Sequence, residues 1–308
     1  MRNKSYIKNL LCLTLSMTVF GTVGLLSRYL PYSSGTIALF RSVIGFIFLT
    51  LFMLAMRRRP DTEGIRSNIA LLGLSGVFLG VNWIFFFEAC ALTTVGTATL
   101  AYYLEPIILV CLAPIFFKEK ITPKKFICIL GALLGMVLVS GVIDGTSAGV
   151  TAQGILFGIA AAVLYACVVI CNKKMKDIEP ITKTVCQFLV SALVLLPYVL
   201  ISGGFRDMSF APIQLIPLLT IGILHTGVAY VLYFGSTGNL SANTLAIYSY
   251  IDPIVALVAS FLVLGETMTP LMAIGAVLIV LSSVASEVSF KKKTPCDGVS
   301  GEAEPDEN

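Results

Sequence analysis

Two acidic residues stand in the middle of long apolar stretches, each directly before a proline, in Glu105-Pro106-Ile107 and Asp252-Pro253-Ile254. A charged side chain at the centre of a membrane-spanning helix costs about 2.5–3.5 kcal/mol on insertion scales, so it is rare without a use. A proline there removes one helical hydrogen bond and frees a carbonyl group. We interpret the acids as a pair that binds an amine or exchanges protons. The alternative is a structural carboxylate that a neighbouring hydroxyl or arginine satisfies.

Four tyrosines flank the two acids, two before each of them: Tyr102, Tyr103, Tyr248 and Tyr250. Tyr102 and Glu105 are three residues apart, and Tyr248 and Asp252 are four apart, so each pair is expected to share a helix face. Aromatic walls with a polar edge suit an amphipathic ligand, and a cation can rest against the rings. We therefore expect the tyrosines to line a cavity. An interfacial tyrosine belt is the usual alternative, but these residues lie too deep for one.

A third apolar stretch carries Asn82, Trp83 and Glu88, and Trp83 is the only tryptophan of the chain. These residues are candidates for substrate contact or gating. Glu88 lies nearer the end of its stretch, where its carboxylate could instead reach water.

One arginine, Arg41, and the single histidine, His225, also fall within apolar stretches. Arg41 is expected to pair with an acid, Glu88 or Glu105, and both a structural ion pair and binding of a substrate carboxylate are open to it. His225 could relay protons, but a hydrogen-bonded packing role is favoured.

These residues belong to a chain in which 57% of the 308 residues are hydrophobic and only 12% are charged, with a mean hydropathy of +0.93. A soluble domain has about twice that charge, so a soluble enzyme, a disulfide-stapled secreted domain and a disordered chain are excluded. A membrane span needs about 20 mostly apolar residues. The blocks predict an all-α polytopic membrane protein with ten transmembrane helices, at about 9–28, 35–56, 68–88, 97–117, 124–143, 153–171, 180–201, 213–234, 243–264 and 270–289.

The basic residues indicate the orientation of these spans. With the N-terminus inside, eighteen of the 21 lysines and arginines fall on cytoplasmic segments: Arg2, Lys4, Lys8, Arg57, Arg58, Arg59, Arg66, Lys118, Lys120, Lys124, Lys125, Lys173, Lys174, Lys176, Lys183, Lys291, Lys292 and Lys293. This bias predicts a multi-pass protein of the plasma membrane with both termini cytoplasmic. Because membrane orientation accounts for the basic residues, they do not indicate binding of nucleic acid. The basic Lys291-Lys292-Lys293 is followed by polar and acidic residues, so we predict that 291–308 are a disordered cytoplasmic tail.

The chain contains an internal repeat. Sliding residues 83–123 forward by 147 positions places Phe87 on Phe234, Tyr103 on Tyr250, the Glu105-Pro106 step on Asp252-Pro253, and Glu119-x-x-Thr122-Pro123 on Glu266-x-x-Thr269-Pro270. Repeats of half the chain are typical of transporters. Residues 1–150 and 151–290 are therefore predicted to be two five-helix units, and because five is odd, the second enters the membrane inverted.

The Thr-Pro steps and several glycine pairs are interpreted structurally. A threonine N-cap followed by proline is a usual helix start, so both steps should open spans five and ten. Glycine pairs four residues apart, such as Gly76 with Gly80 and Gly131 with Gly135, allow close helix contact.

Together these features resemble the EamA-type permeases of the drug/metabolite transporter superfamily, over residues 10–290. The resemblance is carried by the ten spans, the Pro106 and Pro253 steps, and the segments Lys118-Glu119-Lys120-Ile121-Thr122 and Gly265-Glu266-Thr267-Met268-Thr269. It implies a permease that moves small metabolites, amino acids among them, by alternating access across a central cavity between the repeats.

We therefore expect a secondary transporter rather than an enzyme, with a small-molecule substrate, the lipid bilayer as surroundings and protons as a candidate coupling ion. No cofactor or metal is expected, because the cysteines form no CxxC pair and no histidine cluster accompanies them. An intramembrane enzyme or flippase acting on a lipid-linked substrate is the alternative. It would need polar residues clustered at one interface, whereas the acids are central.

Overall fold

A computed structural model of the chain describes residues 2–117, 122–139, 143, 149–206, 211–237, 240 and 248–287. These residues form helices and connecting loops, with no strand among them. The helices are α1 (Arg2–Gly21), α2 (Val23–Ser27), α3 (Ser34–Ala55), α4 (Thr62–Leu92), α5 (Val95–Tyr102), α6 (Glu105–Phe117), α7 (Pro123–Val139), α8 (Ala152–Lys174), α9 (Pro180–Ile201), α10 (Pro212–Thr220), a π-helical segment (Ile221–Val228), α11 (Ala229–Thr237), α12 (Ile251–Leu264) and α13 (Pro270–Glu287).

Seven helical stretches, each of 22–31 residues, are long and apolar enough to cross a membrane: Tyr6–Ser27, Ser34–Ala55, Thr62–Leu92, Val95–Phe116, Ala152–Lys174, Pro180–Ile201 and Pro212–Ser236. Three shorter apolar helices, Phe126–Val139, Ile251–Leu264 and Pro270–Ala285, lie where spans five, nine and ten are predicted. The all-helical fold is thus confirmed for the described residues. The count of ten spans and the inverted repeat stay predictions. The tail 291–308 lies outside the described residues.

The helix at the third predicted span, α4, is longer than the apolar block from which the span was predicted. Helix α4 begins at Thr62, where the Asp61 carboxylate accepts a hydrogen bond from the Gly64 amide at 2.9 Å. It kinks at Asn68, whose Nδ2 donates to the carbonyls of Gly64 and Lys176, both at 2.8 Å. Hydropathy detects only the apolar part of this helix, so the capped polar turns before residue 68 were not predicted.

The fourth span is broken at its centre, which corrects the expectation of continuous helix faces around the acids. Helix α5 ends at Tyr102 and α6 begins at Glu105, and in the ninth span α12 begins at Ile251, so that Asp252 lies in its first turn. The acid-Pro step explains both starts, because proline fits the first turn of a helix and a carboxylate there interacts favourably with the helix dipole. Each acid thus lies at a helix start rather than on a continuous face.

Glycines bring helices into close contact, as predicted. Helix α7 packs on α13, and a Cβ added at Gly135 or Gly275 would lie 2.7 or 2.6 Å from the carbonyl oxygen of the other glycine. Gly76 of α4 similarly faces Val190 and Gln187 of α9. Side chains at these positions would force the backbones apart, so the sites favour glycine for packing.

The connecting loops meet at two ends of the helix bundle. The loop after α3 contacts the loop before α9 through an Arg58–Glu179 ion pair of 3.5 Å and a 3.1 Å hydrogen bond from the Glu179 amide to Asp61 Oδ2. Both of these loops are predicted to be cytoplasmic. At the other end of the bundle, Arg28 contacts both Thr93 and Glu266. All three residues lie on segments that are predicted to be outside. Loops assigned to one side of the membrane therefore lie together.

Candidate functional site

A cavity of about 370 Å³ lies among the helices and receives side chains from both halves of the chain. Its wall is built by α1 to α6, α8, α11 and the start of α12, with the residues that directly precede α12. Eight of the eleven residues predicted from the sequence line it: Arg41, Asn82, Trp83, Tyr102, Tyr103, Glu105, Tyr250 and Asp252. The broken spans bring both acids to this one cavity.

Arg41 enters the cavity from α3 and is only 6% exposed. Its Nε donates to Thr226 Oγ1 at 3.1 Å, and its guanidinium carbon lies 4.3 Å from the centre of the Trp83 ring. Within the described part of the chain, the expected ion pair with Glu88 or Glu105 does not form, because the aromatic face and the Thr226 hydroxyl take that place. Nor do its terminal nitrogens donate to any described residue. Arg41 therefore offers the cavity a positive charge with free donors.

The two acids lie in the same cavity as Arg41. The Tyr103 hydroxyl donates to the carbonyl of Ser249, three residues before Asp252, at 3.3 Å. The rings of Tyr103 and Tyr250, which stand 147 positions apart in the repeat, are 6.3 Å apart. Glu105 lines the cavity from the first turn of α6. Acidic and basic side chains thus line one cavity.

Asn82 contributes a hydrogen-bond acceptor beside the cavity. Its Nδ2 donates to the Ala161 carbonyl at 2.6 Å, which fixes the orientation of the amide. Its Oδ1 is buried and has no hydrogen-bond partner among the described residues. A buried acceptor of this kind is costly unless a ligand or water donates to it.

The remaining wall is aromatic and includes residues that the sequence analysis did not single out. Tyr102 lies 5.7 Å from Tyr165 between ring centres, and Phe20 lies 5.2 Å from Tyr230. Tyr233 completes this set of cavity residues. The wall suits the apolar body of a small organic molecule.

The repeat contains a signal for two of these missed residues. The offset of 147 places Trp83 on Tyr230 and Phe86 on Tyr233, and all four line the cavity. Tyr165 has no comparable counterpart, since the same offset leads back to Thr18.

Three predicted site residues are not brought to the cavity. Glu88 accepts a hydrogen bond of 2.7 Å from Ser34 Oγ at the start of α3. His225 has its Nε2 2.9 Å from Thr22 Oγ1 and its Nδ1 3.1 Å from the Thr220 carbonyl oxygen, the packing role favoured from the sequence. Tyr248 packs in an apolar cluster with Leu13, Met17 and Leu240. Each side chain is held by a neighbouring helix instead.

A carboxylate network joins several helices at the end of the bundle that carries Arg28. Glu266 Oε1 accepts a hydrogen bond from the Val95 amide at 2.9 Å, and Oε2 accepts one from the Gly96 amide at 3.4 Å. The Ser260 hydroxyl also donates to Glu266, and Arg28 Nη2 lies 3.5 Å from Oε1. We call Glu266, Arg28, Ser260 and the amides of Val95 and Gly96 the Glu266 network. Glu266 thereby satisfies the N-terminus of a helix from the other half of the chain.

The structural interpretation of the Thr-Pro steps is confirmed where they are described. Thr269 Oγ1 accepts a hydrogen bond from the Met272 amide at 3.2 Å, and α13 begins at Pro270. Helix α7 begins at Pro123 after Thr122. Glu119 lies outside the described residues. Among the described side chains, no group of three His, Cys, Asp or Glu residues could hold a metal ion.

Comparisons with known proteins agree with this architecture. The sequence profile of the EamA-like transporter family matches residues 7–141 and again residues 152–286. A solved crystal structure superposes with a TM-score of 0.61 over 91% of this chain and 96% of the other, at 18% sequence identity. The two molecules share the fold.

Relatives in other organisms bear transporter names. "Uncharacterized transporter YdfC" of Bacillus subtilis is 30% identical over 258 residues, which cover 81% of this chain and 80% of the relative. "Uncharacterized transporter YxxF" of the same organism is 29% identical over 247 residues, 80% and 78% of the two chains. "Probable amino-acid metabolite efflux pump" of Salmonella typhimurium is 26% identical over 240 residues, 73% and 80% of the two chains.

Proposed function

The chain belongs to the EamA-like transporter family, and from this premise we propose that it is a secondary active transporter of a small organic metabolite, such as an amino acid or a related compound. The substrate would bind in the central cavity and cross the membrane by alternating access between the two halves of the chain. The family and the names of its relatives point to transport rather than to an enzymatic reaction. Glu105 and Asp252 would bind the substrate amine or carry the coupling proton.

The observation that supports this substrate class is the presence of both charge signs in one cavity. Arg41 is a cation whose terminal nitrogens donate to no described residue, whereas Glu105 and Asp252 are acids on other helices of the same wall. A zwitterion carries one group for each sign, and the aromatic wall suits an apolar side chain. A volume of about 370 Å³ is also within the range of about 300–1,000 Å³ for small-molecule sites.

The helix contacts support the inverted repeat on which alternating access depends. If spans one to five correspond to spans six to ten, a contact between spans three and six needs a counterpart between spans eight and one. Helix α4 packs on α8, and α1 packs on α11, which are these two contacts. Likewise the contact between α3 and the π-helical segment, in spans two and eight, has its counterpart in the contact between α9 and α4, in spans seven and three. A pseudo-two-fold axis relating the halves accounts for both pairs, as inverted-repeat transporters require.

Reporter fusions test the topology that this mechanism needs. Fusions after Asp61 and after Lys174 should report the cytoplasm, and a fusion after Thr146 should report the outside. The basic residues and the loop contacts support this arrangement, in which both termini are cytoplasmic and the protein spans the plasma membrane. If all three fusions report the same side, the topology and the inverted repeat are wrong.

Counterflow in proteoliposomes tests the transport function. Vesicles holding purified protein are preloaded with one of the twenty amino acids, and entry of the same labelled amino acid is measured. A carrier gives transient, saturable accumulation against the label gradient for at least one compound. Asp252→Asn should weaken it or remove its pH dependence, whereas Tyr248→Phe, outside the cavity, should do neither. Linear flux without saturation would indicate a channel, and movement of lipid-linked substrates alone would indicate a flippase.

A further inference from the structure

Arg41 is a buried guanidinium that is held without a carboxylate partner among the described residues. Only 6% of the residue is exposed, and its one hydrogen bond to a described side chain runs from Nε to Thr226 Oγ1. Burying a charge without an anionic partner is unfavourable. The orientation of its terminal nitrogens therefore depends on Thr226 and on the stacking against Trp83.

Thr226 presents its hydroxyl from the π-helical segment. Its Oγ1 donates to the Ile221 carbonyl, five residues earlier, at 2.9 Å, so both lone pairs remain available to accept from Arg41. His225 likewise has its Nδ1 beside the carbonyl five residues earlier. π-helical turns are rare and occur frequently at functional sites. Here the wider turn fixes the rotamer of the threonine that Arg41 contacts.

Two glycines press the same segment against α3, the helix that carries Arg41. A Cβ at Gly222 would lie 2.5 Å from the Ile44 side chain, and one at Gly227 would overlap the Phe48 ring. Ile44 and Phe48 follow Arg41 by three and seven residues, so all three lie on one face of α3. The segment is therefore seated tightly enough on α3 to keep Thr226 within reach of the guanidinium.

We propose that Thr226, presented by the π-helical segment, is a positioning residue that holds Arg41 against Trp83 as the subsite for the carboxylate of the substrate. The proposal deepens the proposed function, on which it rests, by assigning the anionic end of the substrate to Arg41. The two terminal nitrogens of a guanidinium match a carboxylate bidentately. With Nε bonded to Thr226 and the guanidinium over the Trp83 ring, the terminal nitrogens, which donate to no described residue, are left for the ligand carboxylate.

The first measurement needs no ligand, because Trp83 is the only tryptophan and lies 4.3 Å from the Arg41 guanidinium. The emission of Trp83 is compared in the purified wild type, Thr226→Val, Thr226→Ser and Arg41→Gln. Thr184→Val is the matched control, since Thr184 is also buried and its hydroxyl donates only within its own helix, to the Pro180 carbonyl. We expect the emission of Thr226→Val to shift toward that of Arg41→Gln. Thr226→Ser and Thr184→Val should match the wild type.

The second measurement uses two matched probes, 4-methylpentanoate and isopentylamine, which carry the same apolar chain with either a carboxylate or an amine. Binding is followed by the change in Trp83 emission. In Thr226→Val, the affinity for 4-methylpentanoate should fall by about tenfold, the effect of losing one hydrogen bond to a charged group. The affinity for isopentylamine should be unchanged, and Thr226→Ser should restore the wild-type affinity for 4-methylpentanoate.

Each outcome decides between the proposals. Unchanged Trp83 emission in Thr226→Val refutes the positioning role, whatever the protein transports. An equal loss of affinity for both probes indicates a merely structural role and also refutes it. If the wild type fails to bind 4-methylpentanoate, the carboxylate subsite is refuted even when counterflow of an amino acid succeeds. Absence of counterflow with normal probe binding would instead refute the proposed function alone.

Discussion

Replacing Glu266 by glutamine should loosen the end of the bundle that carries Arg28. Glutamine keeps the size of the side chain but removes the charge that caps α5, through the Val95 amide at 2.9 Å and the Gly96 amide at 3.4 Å. A charge at a helix N-terminus contributes about 0.3–1 kcal/mol, and hydrogen bonds to a charged acceptor exceed neutral ones by about 1 kcal/mol. The ion pair with Arg28, whose side chain is 34% exposed, adds at most about 1 kcal/mol. We expect a loss of about 2 kcal/mol, or about a 30-fold increase in local opening.

Cys90 provides a native reporter for this opening. It is 1% exposed and lies one turn before Thr93, whose carbonyl accepts a 2.6 Å hydrogen bond from Arg28. Labelling of Cys90 by N-ethylmaleimide, quantified by peptide mass spectrometry in the reconstituted protein, should therefore be about 30-fold faster in Glu266→Gln. Labelling of Cys296, in the predicted cytoplasmic tail, should be unchanged and serves as the internal reference.

Glu179→Gln is the matched control for the same chemistry at the other end of the bundle. Glu179 is the N-cap of α9, accepts a 2.6 Å hydrogen bond from the Thr182 amide and pairs with Arg58 at 3.5 Å. Its loss should cost about 1 kcal/mol locally and leave the labelling rate of Cys90 unchanged. Equal rates of Cys90 labelling in Glu266→Gln, Glu179→Gln and the wild type would refute the reasoning.

Two further changes test the acids and the glycine contact. Glu105→Gln and Asp252→Asn should insert into the membrane normally. If the acids carry the coupling proton, the variants should lose the pH dependence of counterflow, and if they bind the substrate, amine binding should weaken by about 1–3 kcal/mol. Unchanged flux, affinity and pH profile in both variants would exclude either role. Gly135→Ala should destabilise the protein by about 1–3 kcal/mol, because the new methyl group meets the Gly275 carbonyl at 2.7 Å. Gly73→Ala, where a Cβ meets no heavy atom within 4 Å, should be neutral or stabilising in the same thermal denaturation assay.

Several features could be predicted from the sequence because their causes are local or periodic. Long apolar blocks allow only helices in a membrane, since every backbone polar group must be satisfied within the segment. The fixed offset of 147 paired Glu105 with Asp252 and Tyr103 with Tyr250, and all four line one cavity. Applied to every aromatic residue, the same offset would also have found Tyr230 and Tyr233.

Other features depend on contacts between distant segments and could not be predicted. The partner of Arg41 is a threonine 185 positions away rather than an acid, and no local pattern marks that threonine. Glu88 was also a candidate site residue by type, yet Ser34 of a neighbouring helix holds it outside the cavity. Which polar side chains meet in a helix bundle depends on helix rotation and crossing, and these follow from packing over the whole interface.

The sequence by itself thus determined the helical class, the repeat and the two acids before proline, because apolar length, a fixed offset and the properties of proline are written along the chain. Only the tertiary structure decided that α5 and α6 are separate helices meeting at Glu105, that Arg41 faces those acids without pairing, and that Glu266 caps a helix of the other half. The physical reason is that buried charges and helix ends must find partners in space. Those partners come from segments that lie far apart in the sequence, so no local pattern identifies them.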